Sequence, residues 1–134
     1  GLMISKAADG TPTVKTLEFN CRMGDPETQP IMSRITGDFA KVLKAACDGK
    51  LNEAELTWDN RSALGVVIAA RGYPEHPEKG AKGELVVAGG RVLCTVGLGD
   101  TLQKAHDAAY EAAREVHFDG MQMRSDIGFR ALGK

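Results

Sequence analysis

The chain has 134 residues, enough for one compact domain or for a small domain joined to a piece of another. A hydrophobic fraction of 43% and a charged fraction of 26% are ordinary for a globular protein, and a formal net charge of -1 argues against nucleic acid or an anionic membrane as a partner. No apolar run approaches the roughly 20 residues of a membrane-spanning helix, and three widely spaced cysteines (Cys21, Cys47, Cys94) suit a reducing cytoplasm better than a disulfide framework or a zinc site.

The chain opens at Gly1 with no initiator Met and runs at once into apolar Leu2-Met3-Ile4, as if it began inside a strand. Leu2 to Ser5 reads as a short strand, Asp9-Gly10-Thr11-Pro12 as a turn, and Thr13 to Asn20 as a second strand closing a hairpin. Cys21 to Gln29, with Gly24 and Pro26, is a loop. Pro30 suits a first helical turn, and Ile31, Ile35, Phe39, Val42, Leu43 and Ala46 recur at steps of three and four. That spacing predicts one helix with a buried stripe, stopped near Gly49.

Leu51 to Asn60 is polar and irregular, with Trp58 expected to anchor on the core surface, and a boundary between two units falls here: 1–60 and 61–134. Ser62 to Ala70 reads as a buried strand and Gly72 to Gly83 as a loop. Glu84 to Ala88 and Arg91 to Leu98 read as strands joined at Gly89-Gly90. Asp100 is expected to cap a helix, with Gln103 reaching back, whose apolar face is Leu102, Ala105, Ala109, Ala112 and Val116. So many alanines imply close approach to a sheet. Phe118 to Ile127 is a loop or short strand. His76, His106 and His117 complete no metal-ligand spacing.

The segment with chemical content is Leu17-Glu18-Phe19-Asn20-Cys21-Arg22. Strand alternation, if it persists that far, puts Glu18, Asn20 and Arg22 on one face. A carboxylate and an amide oxygen are hard ligands of the kind Mg²⁺ takes beside phosphate oxygens and waters, and a guanidinium grips carboxylate or phosphate. The same spacing also fits a solvated polar face. The following loop adds Asp25, Glu27, Thr28 and Gln29, then opens a helix whose N–H groups suit an anion; capping duty alone explains its carboxylates equally well.

Glu18-Phe19-Asn20-Cys21-Arg22-Met23-Gly24-Asp25-Pro26-Glu27-Thr28-Gln29-Pro30 resembles the signature of glycinamide ribonucleotide synthetases, members of the ATP-grasp superfamily, with Met23 where Phe is usual. The likeness continues through Ser62 to Val67, Gly72-Tyr73-Pro74, Gly89 to Cys94, Phe118-Asp119-Gly120 and Arg124 to Gly128.

It implies a mixed α/β fold: the end of an ATP-grasp domain, hairpin plus helix, then a small C-terminal domain of mostly antiparallel strands with one long helix. It also implies a cytoplasmic enzyme joining glycine to 5-phosphoribosylamine at the expense of ATP, through a glycyl phosphate. Glu18 and Asn20 match the family's Mg²⁺ or Mn²⁺ ligands, and Leu17 an apolar residue lining the adenine pocket. Arg22, Asp25, Glu27, Thr28 and Gln29 match the region beside the transferred phosphate and the substrates.

Two departures stand out, with a smaller third. Everything N-terminal to the hairpin is missing, so the chain alone is expected to be inactive and to pack against that missing part. The stretch from Lys79 to Glu84 is also shorter than the family's, and Ser125 replaces a basic residue. Competing readings are another ATP-grasp ligase or carboxylase, a non-catalytic α/β module, and dinucleotide binding through Gly97-Leu98-Gly99, weakened by the missing third glycine.

Overall fold

The computed structural model describes residues 1–77 and 89–133. Their architecture is mixed: two separate two-stranded antiparallel sheets and three helices. The expected strand Glu84 to Ala88 and the short Lys79–Glu84 stretch lie outside the described residues.

Strands β1 (Leu2–Lys6) and β2 (Pro12–Thr16) form the opening hairpin, pairing Leu2 with Thr16 through Lys6 with Pro12. The turn closes because Gly10 takes φ +85 while the Asp9 carboxylate accepts from the Thr11 N–H at 2.9 Å. The second strand is shorter than expected, ending at Thr16 rather than Asn20. Leu17 N still donates to Gly1 O and the Gly1 amino group to Glu18 O. Among the described residues, the ladder does not continue to Phe19 and Asn20.

The single helix expected from Pro30 to Gly49 is two. α1 (Thr28–Met32) and α2 (Phe39–Cys47) are separated by residues that pair elsewhere. Ile35 bridges Trp58, Thr36 N donates to Thr57 O, and Asp59 N donates to Arg34 O at 2.7 Å. Asp38 then restarts the helix, its carboxylate accepting from the N–H groups of Ala40 and Lys41. Periodicity carries across a break when an apolar residue such as Ile35, here half-buried, is covered at a bridge instead of on a helix face. Nor is the stripe buried: no residue of α2 is, and Leu43 is 52% exposed. Gly49 does end α2, at φ +71.

The packed core lies in the second half. β3 (Ser62–Ala69) and β4 (Arg91–Gly99) pair antiparallel, Ser62 with Gly99 through Ile68 with Leu93, with an irregularity at Ile68/Ala69. α3 (Leu102–Arg114) covers one face of this sheet. Leu64, Val66 and Ile68 point into it and meet Ala105, Ala109, Tyr110 and Ala113. Val66 and Ile68 are fully buried, each contributing about 1.5–3 kcal/mol.

The alanine face does bring helix and sheet together, closely enough that a Cβ on Gly97 would sit 2.1 Å from Ala105 O. Two details differ from expectation. Ala113 is buried and Ala112 exposed, and the cap is Thr101, whose hydroxyl accepts from Lys104 N at 3.2 Å. Asp100 instead pairs with Lys104 Nζ, and Gln103 donates to Asp107. Because β3 and β4 are antiparallel neighbours, Gly97 and Gly99 lie under a packed helix and form no dinucleotide crossover.

Candidate functional site

β2 delivers the chain into Leu17–Asn20, an extended stretch without a sheet partner, and then a bend at Cys21 and Arg22. Asn20 Nδ2 donates to Glu18 Oε1 at 3.0 Å, so these side chains lie together in solvent even though strand β2 has ended. Rotation of the Asn20 amide about its terminal bond would present Oδ1 on that same side. The pair then offers two hard oxygens. Among the described residues no group of three or more His, Cys, Asp or Glu forms a protein-only metal cage. That donor set fits a cation held largely by phosphate and water oxygens.

Arg22 lies in the bend that follows, and its Nη1 donates to the carbonyl of Met23 at 2.8 Å. Leu17, expected on the reverse face, is 63% exposed.

The loop that follows folds back on the second sheet. Thr28 N and its hydroxyl both donate to Gly24 O, which commits that hydroxyl to closing the loop. Glu27 stands at the N-cap of α1 without a side-chain capping bond, and Gln29 is exposed, its carbonyl accepting from Ser33 N. At five residues α1 is too short to offer the anion site expected of a helix start.

Asp25 reaches across to β4, its Oδ2 3.3 Å from Arg91 Nε. Pro30 lies over the open face of the sheet, where a Cβ on Gly65 would meet its ring at 3.5 Å. Burial first, and the Asp25 charge second, push the nearby Cys94 thiol above its usual pKa.

The face of β3–β4 that α3 leaves uncovered forms a groove of about 790 Å³, floored by Gly65, Val67 and Ala69 and walled by Pro26, Tyr73 and Ile127. Its polar groups are largely satisfied from within. Arg124 binds Asp126 through two bonds of 2.7 and 2.6 Å, holding the Asp126 carboxyl below its ordinary pKa. Gln122 donates to Tyr73 O, and Arg91 stacks 5.9 Å over the Tyr73 ring. Sequence reasoning found the Arg124–Asp126 pair but not this groove. The only trace in β3 is that Gly65 and Ala69, two of the three floor positions, are small.

Residues 81–130 match the family described as Phosphoribosylglycinamide synthetase, C domain. The chain is 53% identical to a phosphoribosylamine–glycine ligase of Ralstonia nicotianae, covering 98% of this chain and 36% of the relative. Against the Neisseria meningitidis serogroup A ligase the identity is 44% over 157 residues, covering all of this chain and 36% of that one. The 157 aligned positions exceed the 134 residues here, so relatives carry 23 residues without a counterpart.

A crystal structure of the phosphoribosylamine–glycine ligase from Thermotoga maritima superposes with a TM-score of 0.75 at 38% identity, covering 95% of this chain and 35% of that one. The chain thus spans about 36% of the length of the curated relatives it matches. Nearly the whole chain is therefore similar, in sequence and in fold, to about a third of a phosphoribosylamine–glycine ligase, the part that carries the C domain.

Proposed function

We propose that this chain is the C-terminal portion of an ATP-dependent ligase that joins glycine to 5-phosphoribosylamine, giving glycinamide ribonucleotide, ADP and phosphate. The observation that carries the reading is 53% identity to a phosphoribosylamine–glycine ligase over 98% of the chain. Residues 1–60 end the ATP-grasp domain and 61–134 form the C-terminal domain. The hairpin supports a partner in the rest of such an enzyme: Leu2, Ile4 and Val14 are 60–71% exposed, and a lone two-stranded hairpin is marginal in water. Three free cysteines support a cytoplasmic setting.

Phosphoryl transfer asks little covalent chemistry of protein and much positioning and charge neutralisation. Glu18 and Asn20 would hold Mg²⁺ or Mn²⁺, which would supply charge neutralisation at the nucleotide's phosphate oxygens. Leu17 borders the adenine of ATP. Arg22, on a long exposed side chain tied only to Met23 O, swings to the transferred phosphate and stabilises its charge. The Asp25 to Gln29 loop flanks the acyl phosphate and the attacking amine. None of these residues acts as a nucleophile.

The test uses the longer polypeptide encoded with this sequence, assayed for ATP- and 5-phosphoribosylamine-dependent use of glycine. Glu18→Gln combined with Asn20→Ala is expected to raise the Mg²⁺ requirement at least about tenfold, since metal ligands typically matter on that scale. Turnover that follows bicarbonate and ignores glycine would favour a carboxylase. An unchanged Mg²⁺ requirement would remove the metal assignment. The 134-residue chain by itself is expected to show no turnover.

A further inference from the structure

We propose that Asp25 is a tether, and that Arg91, the first residue of β4, is the positioning residue that holds the Asp25–Gln29 loop against the C-terminal sheet. Three contacts converge on this loop from one side. Asp25 Oδ2 lies 3.3 Å from Arg91 Nε, Pro26 lines the groove on the open sheet face, and Pro30 packs over Gly65.

Arg91 is itself fixed from two directions. Its guanidinium lies 5.9 Å over the Tyr73 ring, and the Tyr73 ring in turn packs on Gly90, where a Cβ would fall 2.6 Å from Tyr73 Cδ2. Gly90 O accepts from Ala70 N at 2.8 Å, which pins that end of β4 to the segment after β3. A guanidinium anchored on a ring and a paired strand spends less conformational freedom on its carboxylate partner than a free surface arginine does.

The consequence is a division of labour inside the loop. The Asp25 carboxylate is spent on Arg91 and the Thr28 hydroxyl on Gly24 O, whereas Glu27 makes no capping bond. Glu27 and the exposed Gln29 are therefore the members of the loop left to meet a ligand, and Asp25 acts through the position of the others. What the loop meets rests on the ligase reading; the tether itself does not.

Amide hydrogen exchange on the 134-residue chain at low salt tests it. The reporters are the Thr28 and Ile31 N–H groups, bonded to Gly24 O and Glu27 O. An exposed pair shifts a local opening equilibrium about two- to fivefold, so Arg91→Gln should speed their exchange by that factor. Arg91→Lys, which keeps the charge, should retain most of the protection. Asp25→Asn should match Arg91→Gln, and the double variant should go no further.

Val66 and Ile68 amides in β3 report whether the sheet is intact, and the Asp25 variant leaves β4 untouched. Unchanged loop exchange, equal loss from Gln and Lys at 91, or additive effects in the double variant would each overturn the tether. Failure of glycine-dependent turnover in the longer polypeptide would instead sink the ligase reading and leave this measurement standing.

Discussion

Gly97 in β4 lies so close under α3 that a Cβ added to it would sit 2.1 Å from the carbonyl oxygen of Ala105 and 2.4 Å from the nitrogen of Ala109. Both neighbours are backbone, so neither has a rotamer to yield. Gly97→Ala must lift the helix off the sheet, and overpacking of this kind costs about 3 kcal/mol. A lower urea midpoint at unchanged m-value, equivalent to that loss, with α3 amides exchanging faster, is the expected result. Ala108→Gly, on the same helix but outside the buried set, serves as a control and should cost about 1 kcal/mol from helix propensity alone.

Tyr110 ties α3 to the turn that follows it in sequence by some fifteen residues. Its hydroxyl donates to Arg124 O at 2.8 Å and accepts from Ile127 N at 3.1 Å, with the residue only 6% exposed. Tyr110→Phe keeps the packing and removes both bonds, leaving a carbonyl and an N–H partly buried. Such orphaned groups cost about 1–3 kcal/mol. Thermal unfolding should show that loss, and the Ile127 amide should lose protection first. If Tyr110→Phe is neutral, water reaches these groups and the ring alone holds the turn.

The start of α3 separates two neighbouring residues. Thr101 caps the helix through Lys104 N, whereas Asp100 makes an exposed pair with Lys104 Nζ at 3.0 Å. Thr101→Ala should therefore cost about 1 kcal/mol and Asp100→Ala a few tenths at most. Circular dichroism melts of the two variants would rank them. Equal losses would return the cap to Asp100, where the sequence pattern put it.

That off-by-one illustrates what was legible beforehand. Strands β3 and β4 and helix α3 were readable because burial and period agree there: Leu64, Val66 and Ile68 meet Ala105 and Ala109 in one packed layer. The single helix from Pro30 to Gly49 was misread because Ile35 keeps the helical spacing while bridging Trp58, a pairing set by residues more than twenty positions away.

At the candidate site, Glu18 and Asn20 lie together as the two-residue spacing predicts, joined by a side-chain hydrogen bond, although the paired strand ends at Thr16. Arg22 follows in a bend and bonds Met23 O, a local contact that strand alternation does not specify. The groove depends on β3 leaving one face uncovered, a tertiary fact that small Gly65 and Ala69 alone do not specify.

The link between the two halves of the chain carries a pH signature. Asp59 binds Arg61 through its carboxylate, at 2.6 Å to Nη2, and its backbone oxygen accepts from Arg34 Nε and Nη2. The hydrogen bonds from the Arg61 side chain and N–H lower the Asp59 carboxyl from 3.8 to about 2. A carboxyl lowered by folding is bound more tightly by protons in the unfolded chain. Its contribution to stability is therefore complete above about pH 4 and disappears as the pH falls through about 2.

Asp9, lowered by the Thr11 N–H, and Asp126, lowered by Arg124, act in the same sense, so all three favour the folded state on the neutral side of their titration. Asp59→Asn removes one of them. The stability gap between wild type and this variant should be constant from pH 7 to about 5, narrow between about pH 4 and 2, and vanish below. Denaturant titrations at closely spaced pH values would read that closing gap directly. A gap that stays constant down to pH 2 would mean the Arg61 pairing persists equally in the unfolded chain.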